Sequence, residues 1–252
     1  MKYLFLCLMS LLLIITVSGC ATAPPPKPAY VPTFDYKPLS NAAPGSAEVS
    51  FAIVNASYSE NQQWAAVWPF SVMAKNMGLD FQEILAARGF SVHGPYATYD
   101  EMTFPDKKAS DLVLQPVLEI RLDFPSTRYK ENISLLGTNT YSLLGDIAVS
   151  GRVTFSLMES ISKERMWFKS VDLGSPVLIS WVGKTQYQTA PQGVVQVPLG
   201  DPGLQADLAK ALGKPMEDFY SRAMQAAWSY LDPEEMRLVK KQAEEVRSKK
   251  VY

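Results

Sequence analysis

The chain has 252 residues, 47% of them hydrophobic and 19% charged, with a formal net charge of −1. That is one ordinary domain or at most two, with enough apolar surface for a core, and it excludes a disordered chain. Near-zero charge argues against nucleic-acid binding, which runs on clustered Lys and Arg. Two cysteines and one histidine leave too few ligands for a Cys/His zinc site, a Cys/His nucleophile pair or a disulfide framework.

Lys2 supplies one positive charge, and Tyr3 to Val17 is an apolar run broken only by Ser10 and Thr16. The run is too short to span a hydrocarbon core, which needs about 20 residues, so residues 1–19 are expected to be a signal peptide. It ends in Val17-Ser18-Gly19-Cys20, which resembles the bacterial lipobox. Cys20 is therefore the expected lipid attachment site, because its thiol can take a diacylglyceryl thioether. Cleavage before it removes Cys7, so no intramolecular disulfide can form. By resemblance to bacterial lipoproteins, Ala21 rather than Asp after the cysteine implies the outer membrane, with the surface or periplasmic side left open.

Residues 20–46 carry the lipidated cysteine and a tether rich in proline: Pro24, Pro25, Pro26, Pro28, Pro32, Pro38 and Pro44. Proline fixes φ and removes donors, so an extended spacer is expected, with a single domain over 47–252 ending in a helical tail. Val49, Phe51 and Ile53 alternate with small residues as a strand. Pro69 to Arg88 places Phe70, Met73, Met77, Phe81, Ile84 and Leu85 on one helical face, with Gly78 as a weak point and Gly89 at C′. Phe90 to Val92 follows as a second strand, so the chain opens β-α-β. Leu112, Leu114, Leu118, Ile120, Leu122 and Phe124 share one face of a long strand, in which Pro116 predicts an edge position or a bulge.

Ile147 to Leu157 and Met166 to Val171 repeat the alternation as a hairpin, which makes the sheet mixed. Residues 174–203 hold Pro176, Pro191, Pro198 and Pro202 and predict an irregular excursion that exposes Trp181 and Tyr187. A helical pattern from Leu204 is expected to break at Gly213, with Pro215 starting a new helix. Asp232-Pro233-Glu234-Glu235 is an N-cap, a proline at N1 and a glutamate at N3, opening a last helix with Met236, Val239, Ala243 and Val246 as its narrow apolar stripe. The predicted class is α/β (α+β), with a mixed sheet and long C-terminal helices.

Candidate chemistry is sparse. His93 has no partners at metal-ligand spacing, and the pairs Asp100-Glu101 and Glu234-Glu235 suit helix starts, since adjacent helical residues do not face each other. Gly-x-Gly-x-x-Gly, the P-loop and Gly-x-Ser-x-Gly are missing, so neither an enzyme, a cofactor nor a metal is expected. The basic tail is interspersed with glutamates and is expected to be a solvated helix with its own ion pairs. Between Pro125 and Gly145, Arg128, Tyr129, Lys130, Asn132, Asn139 and Tyr141 offer cations, amides and flat rings, the groups that a sugar carboxylate and pyranose faces use. A connector with ordinary surface residues is the competing reading.

The lipobox, the helix-to-strand run from Phe81 to Val92, the strand at 111–122, the hairpin at 146–172 and the Lys-rich final helix resemble the neuraminyllactose-binding haemagglutinin lipoproteins, the HpaA-type adhesins. The resemblance spans Ala47 to Lys250. It implies an outer-membrane recognition module whose candidate ligand residues are Arg128, Tyr129 and Lys130, with a host glycan as partner. Auxiliary lipoproteins of transport systems are a broader resemblance. They imply instead a periplasm-facing module contacting an envelope protein through Trp181, Tyr187 and the last helix, with a homo-oligomer left open and no nucleic-acid partner.

Overall fold

The computed structural model describes residues 32–59, 65, 69–133, 139–174, 176–187 and 202–250. Cys20 and the expected signal peptide lie outside the described residues. Strand β1 (Ser50–Val54) and the short β2 (Ser57–Tyr58) lead into helix α1 (Phe70–Ala87) and strand β3 (Ser91–Tyr96). A 3-10 turn (Tyr99–Glu101) and helix α2 (Phe104–Ala109) precede four strands: β4 (Leu112–Asn132), β5 (Thr140–Glu159), β6 (Arg165–Asp172) and β7 (Val177–Tyr187). Helices α3 (Pro202–Tyr230) and α4 (Pro233–Lys249) close the chain. The seven-stranded sheet runs β3-β1-β4-β5-β6, with β2 following β1 along β4 and β7 following β6 along β5. β1 pairs parallel with β3 and β4, whereas β4, β5, β6 and β7 pair antiparallel. The fold is mixed α/β in one domain with a β-α-β opening, as the patterning predicts.

One face of the sheet holds the main core. Phe51, Ile53, Leu112, Leu114, Val153, Phe155 and Leu157 meet Met73, Met77, Phe81 and Ile84 of α1, with Met216, Phe219 and Ala223 of α3 and Met236 and Ala243 of α4. α1 ends where its sequence says it should. Gly89 takes φ +85°, the Phe90 N–H reaches Leu85 O at 3.0 Å and the Gly89 N–H reaches Ala86 O at 3.0 Å, so the last carbonyls are satisfied. Gly78 is buried where α1 passes Asn55: a Cβ there would sit 2.6 Å from Asn55 Oδ1, so a side chain would have to displace that amide. On the opposite face, Ala52, Val54, Val113, Tyr99 and Met102 form a small second cluster under the 3-10 turn. Among the described residues, the rest of that outer face carries no helix.

Several expectations needed correction. Pro116 sits in a central strand, but where β4 changes partners: β1 pairing ends at Leu114 and β2 pairing begins at Val117, so the missing N–H falls in a gap of the ladder. The excursion expected at 174–203 contains β7, because Ile179 and Trp181 alternate inward with Leu178, Ser180 and Val182 outward. Residues 188–201 lie outside the described set. α3 is one helix running through Pro215, because an unbroken apolar face from Leu212 to Trp228 outweighs the local cost of proline.

The boundary expected at Ala47 comes too late. Phe34 is 2% exposed, packs at a tilt against Tyr220 with ring centroids 5.3 Å apart, and its carbonyl accepts from Asn76 Nδ2 at 2.8 Å. The Tyr36 N–H donates to Asp80 Oδ2 at 2.7 Å, beside the Tyr220 hydroxyl at 2.6 Å, and the Ala42 N–H donates to Ala87 O at 2.8 Å. Proline removes donors but not apolar area, so this stretch straps onto α1 and α3. Burial pushes the Asp80 carboxyl above its ordinary value, partly offset by these two donors.

The last helix begins as expected, with Asp232 Oδ1 accepting the Glu234 N–H at 2.9 Å and the Glu235 N–H at 3.3 Å. Its cations, however, do more than pair within the helix. The side chain of Glu159 is fully buried, and its Oε1 lies 2.6 Å from Arg247 Nη2. The Ser162 N–H donates to its Oε2 at 2.6 Å. Burial opposes this charge, but the backbone donors and Arg247 outweigh it, and the carboxyl lies below its ordinary value. Lys240 meets Asp111 and Lys250 meets Glu164, so the tail is tied to the sheet.

Candidate functional site

The segment read as a polar connector is the far half of a long hairpin, and it holds the site. Along β4, inward residues are even-numbered up to Phe124, after which the register shifts between Asp123 and Ser126. Phe124 and Pro125 together oppose Ile147, a bulge at a residue that lacks an N–H. One extra residue reverses the parity of everything beyond it. Thr127 and Tyr129 now turn toward the core side, while Arg128 and Lys130 are exposed on the outer face. The three sequence-predicted ligand residues therefore do not form one site, because Tyr129 lies on the opposite face from its neighbours.

Gly145 makes the bulge possible. A Cβ there would meet Ser126 O at 1.9 Å, so any side chain would displace the bulged backbone. Next to it, Asp146 ties three strands together: Ser126 Oγ of β4 donates to its Oδ2 at 2.7 Å and Ser180 Oγ of β7 donates to its Oδ1 at 2.7 Å. The Asp146 N–H in turn donates to Ser126 Oγ at 3.2 Å. The two hydroxyls, with Arg128 nearby, hold the Asp146 carboxyl below its ordinary value.

These residues line an open cavity of about 760 Å³ on the outer face, with Pro125 and Val182 at its apolar parts and Arg128 as its cation. Among the described residues, no salt bridge engages Arg128 or Lys130. The remaining polar groups of the segment are used across the hairpin, as Asn132 Nδ2 meets Ser142 Oγ at 2.7 Å and the Tyr141 hydroxyl meets Glu131 Oε1 at 3.1 Å.

Trp181, expected as an exposed contact residue, is 5% exposed and belongs to the core. It faces inward opposite Gly145, which presents no side chain to compete with it. Tyr187 pairs with Tyr141 in the ladder, and its side chain lies outside the described set. Asp146, Ser126 and Ser180 were missed by the sequence reading. The signal that could have found them is Pro125 within an alternating run, with a facing glycine at 145. Among the described residues no group of three or more His, Cys, Asp or Glu could hold a metal, and no helix is long and apolar enough to cross a membrane, which says nothing of a β-barrel.

Fold and site together define an α/β module with an open-faced, bulged sheet. No known family model matches the chain, and no curated protein matches it by sequence. Among solved structures, a homolog of a neuraminyllactose-binding hemagglutinin from Helicobacter pylori aligns with a TM-score of 0.55 and 16% identity, covering 83% of this chain and 98% of that one. That likeness is one of fold. A lipoprotein from Neisseria meningitidis aligns at 15% identity over 68% of this chain and 99% of its own, with a TM-score of 0.27, too low to argue from.

Proposed function

We propose that the protein is a bacterial lipoprotein anchored in the outer membrane through lipidated Cys20, and that its domain is a non-enzymatic recognition module of the adhesin type that takes a glycan at the β4 bulge. The observation that carries this reading is the open cavity lined by Arg128, which no salt bridge engages among the described residues. A guanidinium offers donors in a fixed fork to carboxylate or sugar oxygens. The fold shared with a homolog of a neuraminyllactose-binding hemagglutinin supports the same reading and supplies the first probe. In a titration with sialyllactose, Arg128→Ala should weaken binding by about 1.5 to 3 kcal/mol, the range for a hydrogen bond to a charged group. Unchanged affinity would remove Arg128 from the site. Labelled palmitate should enter the wild type but not Cys20→Ser, and protease added to intact cells should digest the domain.

One observation favours a second reading, a periplasm-facing accessory lipoprotein that binds an envelope protein. Among the described residues the outer face carries no helix along β6 and β7, where Phe168, Leu178 and Val182 are 62%, 64% and 63% exposed. Protection of the domain on intact cells, with digestion after outer-membrane permeabilisation, would select this reading over the first.

A further inference from the structure

The hydrogen-bonding inventory of the cavity goes further than its shape. The hydroxyls of Ser126 and Ser180 both spend their protons on Asp146, one on each carboxylate oxygen. Ser126 Oγ also takes the Asp146 N–H. To an incoming molecule these two serines therefore offer only lone pairs. A carboxylate has about four lone-pair sites, so each Asp146 oxygen can accept one donor more. On the other side of the ledger stands a single cationic donor, Arg128, since Lys130 lies further along β4 and outside the lining and Trp181 is packed in the core.

Such a site is rich in acceptors and close to electrically neutral. An acidic ligand would gain Arg128 but meet the Asp146 charge beside it, and the two effects oppose each other at similar range. A ligand with two hydroxyls on adjacent carbons satisfies both groups. Its protons go to Asp146, its oxygens accept from Arg128, and its C–H face rests on Leu144 and on Val182, which is 63% exposed.

Resting on the reading of this cavity as a glycan site, we propose that it recognises the vicinal hydroxyls of a neutral sugar through Asp146 and Arg128, and that the carboxylate of an acidic sugar is not its determinant. Asp146 is then the specificity-determining residue. Its carboxyl stays ionised across the neutral range, because its hydroxyl donors and Arg128 favour the charged form.

The test uses the mature chain, with lactose, sialyllactose and acetate titrated in parallel by ligand-observed NMR. Lactose should bind within about threefold of sialyllactose, a difference under 1 kcal/mol. Acetate should not displace it. Asp146→Asn, checked for an unchanged melting temperature, should weaken both sugars by about tenfold or more, as the loss of a charged hydrogen bond would. Sialyllactose binding more than about tenfold tighter than lactose, or Asp146→Asn tightening sialyllactose by relieving repulsion, would overturn the proposal and leave the glycan site standing. If neither sugar binds, the glycan reading falls and this inference falls with it. The wild-type comparison alone decides the matter if Asp146→Asn fails to fold.

Discussion

At its β1–β3 end the sheet is packed on both faces, whereas beyond the bulge at Phe124 and Pro125 the described structure covers only one. At β1 the near half has α1, α3 and α4 on one side and Tyr99 with Met102 on the other, and Phe51, Ala52, Ile53 and Val54 are all buried. The far half leaves Arg128, Asp146, Ser180 and Val182 facing outward. The same alternation of strand residues builds both. What differs is whether the second face meets protein, and a ligand can reach the sheet only where it does not.

Disrupting the near half should cost stability and altering the far half should cost recognition. The largest effect is expected at Arg247, which compensates the fully buried Glu159. Arg247→Ala should lower unfolding free energy by about 4 kcal/mol in urea titrations, because it strands a buried charge. Phe34→Ala should cost about 3 kcal/mol by the same measurement, since Phe34 is core rather than spacer. A cost below about 0.5 kcal/mol would return residues 32–46 to the role of a tether.

Inserting one alanine between Ser126 and Thr127 would reverse the alternation of β4 beyond it, turning Arg128 and Lys130 inward and Tyr129 outward. A loss of about 2 kcal/mol is expected from the exposed ring and the inward cations, together with loss of glycan binding. Retained binding would show that the alternation of β4 does not set the site.

Two buried carboxylates should give opposite pH trends in chemical denaturation. Glu159 has a depressed folded pKa, so its contribution is present above its unfolded value and is lost as pH falls through the folded one. Asp80 has a raised folded pKa, so its contribution is present below its unfolded value and is lost as pH rises through the folded one. Asp80→Asn should flatten the second trend and leave the first. The smallest effect is expected at Arg128, exposed and in no salt bridge among the described residues, where Ala should change stability by less than about 0.5 kcal/mol while weakening ligand binding.

Much of the architecture was legible from local pattern. The face of α1 from Phe70 to Leu85, the Gly89 stop, the inward odd residues of β5 from Ile147 to Leu157 and the Asp232 cap are written in periodicity and capping chemistry, which act over a few residues. For the same reason the β-α-β opening, the hairpin and the last helix could be placed from sequence. Local rules misled where a longer-range gain outweighed them: at Pro215, at Phe34, and at residues 177–187, whose prolines flank a strand that only β5 could complete.

The candidate site shows that limit most clearly. The clustering of cations and rings between Pro125 and Gly145, Arg128 among them, is plain from the order of residues. Which of them point outward is set by tertiary pairing. That outcome turns on one extra residue opposite Ile147 and on the room Gly145 leaves for Ser126 O. The partners of Asp146 come from β4 and β7, separated along the chain but adjacent across the ladder. Composition and periodicity record what a segment contains and which way its neighbours alternate. Register between strands is set by pairing, and pairing is where Ser126, Asp146 and Ser180 first meet.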